Sequence, residues 1–423
     1  MKENILYCSF LHSLSAMNDE QLRRKNYLVL LIRRTLAGFF NNMSSQYVNV
    51  YILKMGFTEQ DIGLLRSIAA LLSAIPSSTI NFVADVTSRR KAYLVGLLLE
   101  ILSALLFFLD NGAFIVVLAL VFYLVAFQGL RTLENILIAD SLKGRQRAFG
   151  FSVINSLTVI ASLVAPVVAA YIINLSGGIS VEGIRPVFLV QLLGLSCAFT
   201  VALAYVRDIR EVGEVGLIDS FKDSLNMVKL NPWLKRWILL EILGGYVFSL
   251  SMPFEMIYAV KVKGADEFIL GFMGLAMNLG SFIASPLLGK LADRIGRVKA
   301  ILLVRPLYYL SVILFLTAST PTQLIVAWLI RGIWFASVAP FQTLAVELVP
   351  YDYRGRWNGV RSLIVLPLRS PGSLLGGLLY SQISPETPFI VAALIDLFLR
   401  VPLIYMTPET LDRRKYLETF KRV

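Results

Sequence analysis

Histidine and cysteine are nearly absent from this chain. Its 423 residues include one histidine, His12, and two cysteines, Cys8 and Cys197. So few of these side chains argue against a disulfide framework, a cysteine-based metal cluster, and haem or zinc sites ligated by histidine. The chain also lacks a G-x-x-x-x-G-K-[ST] loop, so it does not bind nucleotide phosphates by that route.

Charge is scarce as well. Charged residues make up 16% of the chain, against roughly a quarter in ordinary soluble domains. Hydrophobic residues reach 57% and the mean hydropathy is +0.70, which is more apolar surface than one or two soluble cores can bury. This composition excludes a cytosolic enzyme, a disordered scaffold and a secreted domain. It predicts a polytopic membrane protein, and the apolar runs are long enough for helices.

Twelve apolar segments are long enough, or nearly so, to cross a bilayer at 1.5 Å per residue. They are numbered here as spans one to twelve. We predict them at residues 27–53, 61–83, 92–109, 113–139, 149–175, 186–206, 237–260, 268–289, 300–318, 323–349, 357–383 and 388–406.

Basic residues between the spans predict the orientation. With a cytoplasmic N-terminus, the cytoplasmic segments hold 27 Lys and Arg and the external loops hold four. This asymmetry follows the positive-inside rule, so both termini are expected in the cytoplasm. It also accounts for the net charge of +12 through contact with anionic lipid, and no nucleic-acid partner is expected.

The two halves of the chain repeat one another. Asp85 and Asp293 are 208 residues apart, and Arg147-x-x-Gly150 and Arg356-x-x-Gly359 are offset by 209. Parallel six-span repeats are typical of secondary transporters with a central site. The predicted fold is therefore all-α and membrane-embedded, with twelve helices in two six-helix pseudo-repeats around a central cavity. The predicted divisions are a tail (1–26), an N-terminal bundle (27–206), a cytoplasmic linker (207–236), a C-terminal bundle (237–406) and a second tail (407–423).

At these repeats the chain resembles the major facilitator superfamily. That family carries G-x-x-x-D-R-x-G-R between spans two and three, and here the better copy follows span eight, at Gly289, Asp293, Arg294, Gly296 and Arg297. The first copy keeps Asp85, Arg89 and Arg90. The segment from Arg331 to Pro340, followed by Glu347, Arg354-Gly-Arg356 and Gly359, also looks like the family's signature for spans ten and eleven.

The resemblance implies a cytoplasmic gate. It places Asp293 near the start of span five and Asp85 near the start of span eleven, where the positive end of a helix dipole stabilises a carboxylate. The expected ion pairs, Arg297 with Glu347 and Arg89 with Asp140, are predicted to exist only when the cytoplasmic side is closed. The alternative is a helix stop with basic membrane anchors. The predicted gating residues are Asp85, Arg89, Asp140, Gly289, Asp293, Arg294, Gly296, Arg297 and Glu347.

Small residues recur at four-residue spacing in the four spans that the resemblance places between the halves. Such stripes let helices approach closely and slide. Generic packing within one half is the alternative. The stripes are Ala70/Ala74/Ser78, Ala161/Ala165/Ala169, Ser281/Ser285/Gly289 and Gly372/Gly376.

Charges within the spans predict the binding site, because a charge at mid-membrane usually faces protein or water. The resemblance assigns the cavity to spans one, four, seven and ten. Span seven has a stripe of Phe248, Ser251, Glu255 and Tyr258. The predicted substrate-binding residues are Arg331, Arg131, Glu255, Glu134, Asn42, Gln46, Trp334 and Gln342, with Glu255 and Glu134 as the proton-coupling carboxylates because burial disfavours their charged form.

Several of these charges also have a purely structural interpretation. Arg131 and Glu134 stand at i,i+3 and could form an internal salt bridge, as could Asp396 and Arg400 at i,i+4. Structural pairing is the expectation for Glu100, Arg305 and Arg369. Arg33 and Arg34 are expected to snorkel to the cytoplasmic surface.

The function predicted from these features is secondary-active transport of a small organic solute by alternating access. Arg331 and Arg131 favour an anionic or zwitterionic substrate, with proton coupling and no cofactor. The aromatic residues Trp334, Phe335, Phe248 and Tyr258 support an alternative, an efflux carrier for amphipathic compounds. A non-transporting membrane sensor is a further alternative, and no enzyme site is expected. We expect a monomer in the plasma membrane.

Overall fold

The computed structural model describes residues 19–86, 88–109, 112–142, 147–208, 231–349 and 354–411. The described part of the N-terminal half is helical, because its apolar runs leave backbone groups that only helical hydrogen bonds can satisfy in lipid. Its spans are Asp19–Ser45 with Val48–Lys54 (span one), Glu59–Val86 (two), Arg89–Leu109 (three), Ala113–Val125, Ala126–Leu130 and Arg131–Ser141 (four), Arg147–Leu175 (five) and Val181–Tyr205 (six).

The C-terminal half repeats this order of helices. Asn231 caps its first helix by accepting a hydrogen bond from the backbone N–H of Trp233. The spans are Pro232–Lys261 (seven), Glu267–Ile295 (eight), Arg297–Leu303 with Arg305–Thr317 (nine), Pro321–Phe335 with Val338–Glu347 (ten), Arg354–Arg369 with Pro371–Gln382 (eleven), and Thr387–Ile395, Asp396–Arg400 and Val401–Tyr405 (twelve).

Length and composition bear on how many of these helices cross a membrane. Among the described residues, ten helices are long and apolar enough to do so, and they correspond to spans three to twelve. The helices of spans one and two are described as well, with Arg33 in span one and Arg66 in span two. Together they complete the predicted twelve-helix, all-α arrangement.

Irregular backbone occurs at equivalent places in both halves. Span four contains a π-helical turn at Ala126–Leu130, and span ten breaks at Ala336, which lies 208 residues after Gln128. The helix of span one ends at Ser45, and Pro253 in span seven lies 208 residues further on. π turns and proline residues locally change the helix backbone, and a π turn, a proline and two helix breaks occur at equivalent positions of the repeat in spans four and ten and in spans one and seven.

Residues 209–230 of the predicted linker lie outside the described residues, as do residues 1–18 and 412–423 of the two tails. The six-span divisions predicted from the repeat remain predictions.

The two halves contact each other at the predicted external end. Tyr47 donates hydrogen bonds to the backbone oxygens of Pro166, at 3.2 Å, and Glu267, at 2.9 Å. Lys261 pairs with Glu59 at 2.6 Å. These contacts join spans one, two and five to spans seven and eight, next to the largest buried apolar cluster.

Small residues do bring the halves together, but partly at other positions than predicted. Gly63 in span two packs against the backbone of Ser373 in span eleven, and Gly271 in span eight packs on Pro166. Gly372 and Gly376 instead face span seven within their own half, so their predicted position between the halves is wrong. The periodicity was visible in the sequence, but it does not say which of two adjacent faces meets the other half.

Candidate functional site

Span ten carries an arginine that is fully occupied by partners in its own half. Nη1 of Arg331 lies 2.5 Å from Oε1 of Glu255 in span seven, and its Nε donates a 2.8 Å hydrogen bond to Oγ of Ser311 in span nine. Arg331 and Glu255 are 6% and 8% exposed. Because a buried charge is costly unless it is paired, the two side chains form one neutral unit, here called the Arg331 pair.

Aromatic rings enclose the Arg331 pair. The guanidinium lies 5.3 Å from the ring centroids of both Tyr308 and Trp328, which is within the range of a cation–π contact. The Trp334 ring centroid lies 4.7 Å from that of Tyr308 in a tilted contact, and Trp334 stacks on Phe248 with the ring centroids 5.9 Å apart. A cleft opens beside these rings, here called the span-seven cleft. Its lining is Val247, Phe248, Ser251, Met252, Glu255, Met277, Tyr308, Arg331, Trp334 and Phe335.

The structure thus brings together three of the predicted binding residues, Glu255, Arg331 and Trp334. The other five predicted binding residues, Arg131, Glu134, Asn42, Gln46 and Gln342, do not line the cleft, and neither does Tyr258 of the span-seven stripe. Tyr258 packs against Phe315 and Phe389 and donates to Glu386 at 3.3 Å. Gln342 is exposed and does not line the cleft. The predicted stripes assumed straight helices, whereas span ten breaks at Ala336 and the helix of span seven contains Pro253.

Span one supplies the central cation of a second polar cluster. Nη1 of Arg33 lies 2.7 Å from Oε1 of Glu134 in span four, and its Nη2 lies 2.5 Å from Oε2 of Glu100 in span three. The hydroxyl of Tyr93 donates to Glu134 at 2.9 Å, and the amide of Asn41 donates to Glu100 at 2.6 Å. These five side chains are here called the Arg33 cluster.

The Arg33 cluster overturns two expectations from the sequence. Arg33 does not snorkel to the surface but is 4% exposed. Glu134 does not pair with Arg131, because its Oε1 accepts from both Arg33 and Tyr93. Glu100, in the middle of span three, was expected to pair with another charge, and its partner is Arg33.

Two arginines lie at the mouth of the Arg33 cluster. Nη1 of Arg34 donates to Oδ1 of Asn135 at 2.7 Å, and its Nε is 3.7 Å from Oε2 of Glu134. The side chain of Arg131 is exposed, and in the part of the chain that the structure describes it has neither a hydrogen bond nor an ion pair. The guanidinium of Arg131 interacts electrostatically with the charges of both Arg34 and Glu134.

The polar residues predicted from span one are used for packing and helix contacts. Asn42 donates to the backbone oxygen of Gly38 in its own helix at 3.0 Å. Gln46 packs against Gly274 of span eight. Asn49 accepts a 2.7 Å hydrogen bond from Nε of Arg66 in span two, an intramembrane cation that sequence reasoning overlooked.

A third charged cluster has a structural role, as expected. Asp396 is 0% exposed and accepts from Arg305 at 2.9 Å, Tyr309 at 2.9 Å and Arg400 at 3.2 Å. Gly244 makes room for Arg400, since a Cβ there would lie 2.8 Å from its guanidinium carbon. The cluster ties spans seven, nine and twelve together.

The predicted gating pairs are present, but each joins spans of one half. Arg89 lies 2.7 Å from Asp140, and Arg297 lies 3.3 Å from Glu347. Neither pair crosses between the halves, and their dependence on cytoplasmic closure stays a prediction.

The loop motif of the second half faces open space. Asp293 pairs with Arg297 at 3.2 Å, and its side chain is 73% exposed. Among the described residues, a Cβ added at Gly289 would meet no atom within 4 Å, and Arg294 is exposed. Asp85 lies at the end of span two, and its side chain falls outside the described residues. No described residue of the N-terminal half therefore covers Gly289 at the end of span eight.

Carboxylates beyond the last span of each half cap the loop motifs. Asp208 accepts from the backbone N–H of Arg90 at 2.9 Å. Glu409 accepts from the N–H groups of Arg297 and Val298, both at 3.0 Å, just after Gly296 at φ +105°. These caps satisfy helix N-terminal donors. They were missed because the capping residues are distant in sequence.

The chain matches a known family of membrane proteins. A family model described as Major Facilitator Superfamily matches residues 34–365 and 238–419. The chain belongs to the Major Facilitator Superfamily. It is therefore a multi-pass membrane transporter and not an enzyme, as the sequence predicted.

The relatives and structural neighbours agree with this family. The chain is 25% identical over 394 residues to a "Multidrug resistance protein MdtG" of a Rahnella species, covering 89% of this chain and 92% of that protein. A protein of the same name from Dickeya zeae is 23% identical over 385 residues, covering 88% and 91%. By fold, the chain is similar to the nucleoside transporter NupG (TM-score 0.66, 15% identity, 93% and 99% covered) and to a D-xylose-proton symporter (TM-score 0.68, 15% identity, 91% and 98% covered).

Proposed function

We propose that this secondary transporter carries an amphipathic organic solute with an aromatic ring, bound in the span-seven cleft. The observation behind the proposal is the neutral Arg331 pair beneath the rings of Phe248 and Trp334. Because Glu255 neutralises Arg331, the cleft has no spare cation for an anion. Its aromatic and methionine walls suit a flat apolar group, while Glu255 and Ser251 offer acceptors for one polar group.

We further propose that transport proceeds by alternating access and is coupled to protons. The contacts at the predicted external end and the open loop motif of span eight fit a conformation that admits solute from the cytoplasm. A cytoplasmic entry suits export, the activity that the name "Multidrug resistance protein" suggests for the relatives. The predicted gating role of Asp293 would then apply to the opposite conformation.

An anionic or zwitterionic solute is the second candidate. The exposed Arg131 beside Arg34 and Asn135 is the observation that favours it. Two guanidinium groups side by side can hold a carboxylate or phosphate. In this alternative the solute binds at the mouth of the Arg33 cluster and not in the span-seven cleft.

Transport in proteoliposomes tests the proposal. We expect an amphipathic aromatic dye to be moved under an imposed pH gradient, and Trp334→Leu to raise its half-saturating concentration about tenfold, equivalent to about 1.4 kcal/mol of lost contact. Trp233→Leu, at the start of span seven and away from the cleft, is the matched control and should behave as wild type.

The solute classes separate the alternatives. Transport of an aromatic carboxylate without transport of the dye would favour the second candidate. A chain that moves no solute of either class would support the non-transporting sensor.

We also expect both termini and the 207–236 linker to be cytoplasmic, from 27 basic residues against four. In a cysteine-free background, an impermeant thiol reagent applied to intact cells should label Ser180→Cys, between spans five and six. It should not label Ser220→Cys, which lies outside the described residues. Labelling of the second position alone would reverse the proposed orientation.

The remaining partners follow from the same arrangement. Each polar cluster is completed by spans of a single chain, which supports a monomer. We propose that it resides in the plasma membrane, contacts lipid and binds no nucleic acid.

A further inference from the structure

We propose that Arg66 and Tyr123 form a binding site for one monovalent anion, either chloride or a carboxylate group, in the N-terminal half of the chain. The observation behind the proposal is an arginine within a membrane span that donates to an amide and not to a carboxylate. The site uses none of the residues of the span-seven cleft or of the Arg33 cluster. It therefore goes beyond the solute site proposed above.

Arg66 lies well inside span two. It comes seven residues after Glu59, where the helix begins, so it lies about 10 Å along the helix from the predicted external end. Its side chain is half-buried, and its Nε donates to Oδ1 of Asn49 in span one at 2.7 Å. Among the described residues, no carboxylate forms an ion pair with it. An amide does not neutralise a guanidinium, and an unneutralised charge in a membrane marks a functional site.

The helical phase of span two places Arg66 where the two halves meet. Gly63 and Ser67 contact span eleven, Gly63 by a close approach to its backbone and Ser67 by accepting a backbone N–H. Ile62 and Ala69 belong to the largest buried apolar cluster. Because successive residues of a helix are turned by about 100°, Arg66 lies between these two faces. Its side chain therefore leaves the helix where the N-terminal bundle borders span eleven.

Arg66 and Tyr123 both have hydrogen-bond donors without an acceptor. Tyr123 of span four interacts electrostatically with Arg66 and stacks on Phe127, with the ring centroids 5.9 Å apart. In the described part of the chain, neither Nη atom of Arg66 nor the hydroxyl of Tyr123 has a hydrogen-bond partner, and none of these atoms is sealed from solvent. A guanidinium fork and a phenol hydroxyl together suit a chloride ion or a carboxylate.

The two carboxylates within spans three and four are already neutralised. Glu100 and Glu134 lie beside Arg33 and Arg34, with N–O distances from 2.5 to 3.7 Å. These two cations and two carboxylates sum to zero. Neither carboxylate is therefore spare for Arg66, and an anion from outside the chain would neutralise it.

The repeat shows how the other half neutralises its own cation. The residues 208 positions before Arg331 and Glu255 are Tyr123 and Tyr47. The C-terminal half thus holds a carboxylate next to its arginine, whereas the N-terminal half has a tyrosine at the equivalent position. The hydroxyl of Tyr47 already donates to two backbone oxygens. An exchangeable anion would serve Arg66 as Glu255 serves Arg331.

Thermal unfolding of the purified full chain in an uncharged detergent tests the proposal. The probes are sodium chloride and sodium acetate, each titrated at constant ionic strength against sodium isethionate. Because a ligand that binds only the folded state stabilises it, the unfolding midpoint of the wild type should rise and saturate with one or both probes. Saturation by chloride alone identifies an inorganic anion as the occupant, and saturation at lower concentrations of acetate identifies a carboxylate.

Variants of the two donors locate the site. Arg66→Gln should abolish the saturable rise, because it removes the cation and keeps a donor for Asn49. Arg66→Lys should retain a weakened rise, which a purely structural arginine would not produce. Tyr123→Phe keeps the ring that stacks on Phe127 but loses the hydroxyl, so the half-saturating concentration should increase about tenfold. If Arg66→Gln does not fold, Tyr123→Phe decides the outcome.

Arg236→Gln is the control for the loss of one charge, because Arg236 is an exposed cation near the start of span seven. It should leave the half-saturating concentration unchanged. The proposal is overturned if neither probe gives a saturable rise in the wild type, or if the rise is unchanged in Arg66→Gln or in Tyr123→Phe. It is also overturned if Arg131→Gln abolishes the rise, since the anion would then lie at the mouth of the Arg33 cluster. No transported solute is used, so these outcomes do not depend on the solute proposed above.

Discussion

Arg331→Ala should destabilise the chain by about 3–5 kcal/mol, because it leaves Glu255 charged and buried without its partner. Ser311 would lose its donor as well. The double variant Glu255→Gln/Arg331→Gln should recover most of this stability, since no charge remains unpaired. It should not recover transport, because the carboxylate of Glu255, which is proposed to accept from the polar group of the solute, has been replaced by an amide.

Thermal unfolding of the purified protein in detergent measures the first part, and dye transport in proteoliposomes measures the second. Arg66→Ala is the control, because Arg66 also lies within a span but donates to the neutral amide of Asn49. Its removal leaves no buried carboxylate alone and should cost clearly less stability. If the double variant is as unstable as Arg331→Ala, the pair does not act as a neutral unit.

Gly63→Leu should weaken the closure of the predicted external end. Even a Cβ at this position would clash with the backbone oxygen of Ser373 in the other half. Backbone atoms cannot move aside as a flexible side chain can. The conformation described here should therefore be destabilised by about 1–3 kcal/mol relative to the alternative conformation. A loss of that size changes the ratio of two conformations by about 5- to 150-fold.

Distances between spin labels on Lys54→Cys and Val262→Cys measure this shift, since the two positions lie on opposite sides of the closed end and are exposed. The native cysteines would first be replaced. We expect a second, longer distance to appear in Gly63→Leu. Gly112→Leu is the matched control, because among the described residues nothing lies within 4 Å of a Cβ there and its φ is negative. Equal distance distributions in both variants would contradict a close approach at Gly63.

The charged residues show which features of the polar clusters could be predicted from the sequence and which could not. Arg331 and Glu255 were both expected on cavity-facing spans of one half, and the structure pairs them. Helical spacing offered Arg131 as one possible partner of Glu134, but the partner is Arg33, 101 residues away. Spacing along one helix describes a shared face, and it does not describe which neighbouring helix presents a competing donor.

The contacts of the loop motif were also only partly predictable from the sequence. Its residues and its ion pairs, Arg89 with Asp140 and Arg297 with Glu347, follow from the motif and from the resemblance. The capping carboxylates Asp208 and Glu409 could not be foreseen. Each lies more than 100 residues from the donors it satisfies, and acidic residues in polar tails carry no local signal of what they contact.

The sequence by itself determined that this chain is a membrane protein of twelve helices, arranged as two related halves in a transporter family. Those properties follow from long apolar runs, which must be helical in lipid, and from motifs repeated at one spacing. Only the tertiary structure decided that the Arg331 pair is neutral, that Arg33 is the centre of a buried cluster, and that Arg131 faces the open mouth. The energy of a charge inside a membrane depends on which charges lie within a few ångströms of it, and packing between distant spans sets those distances.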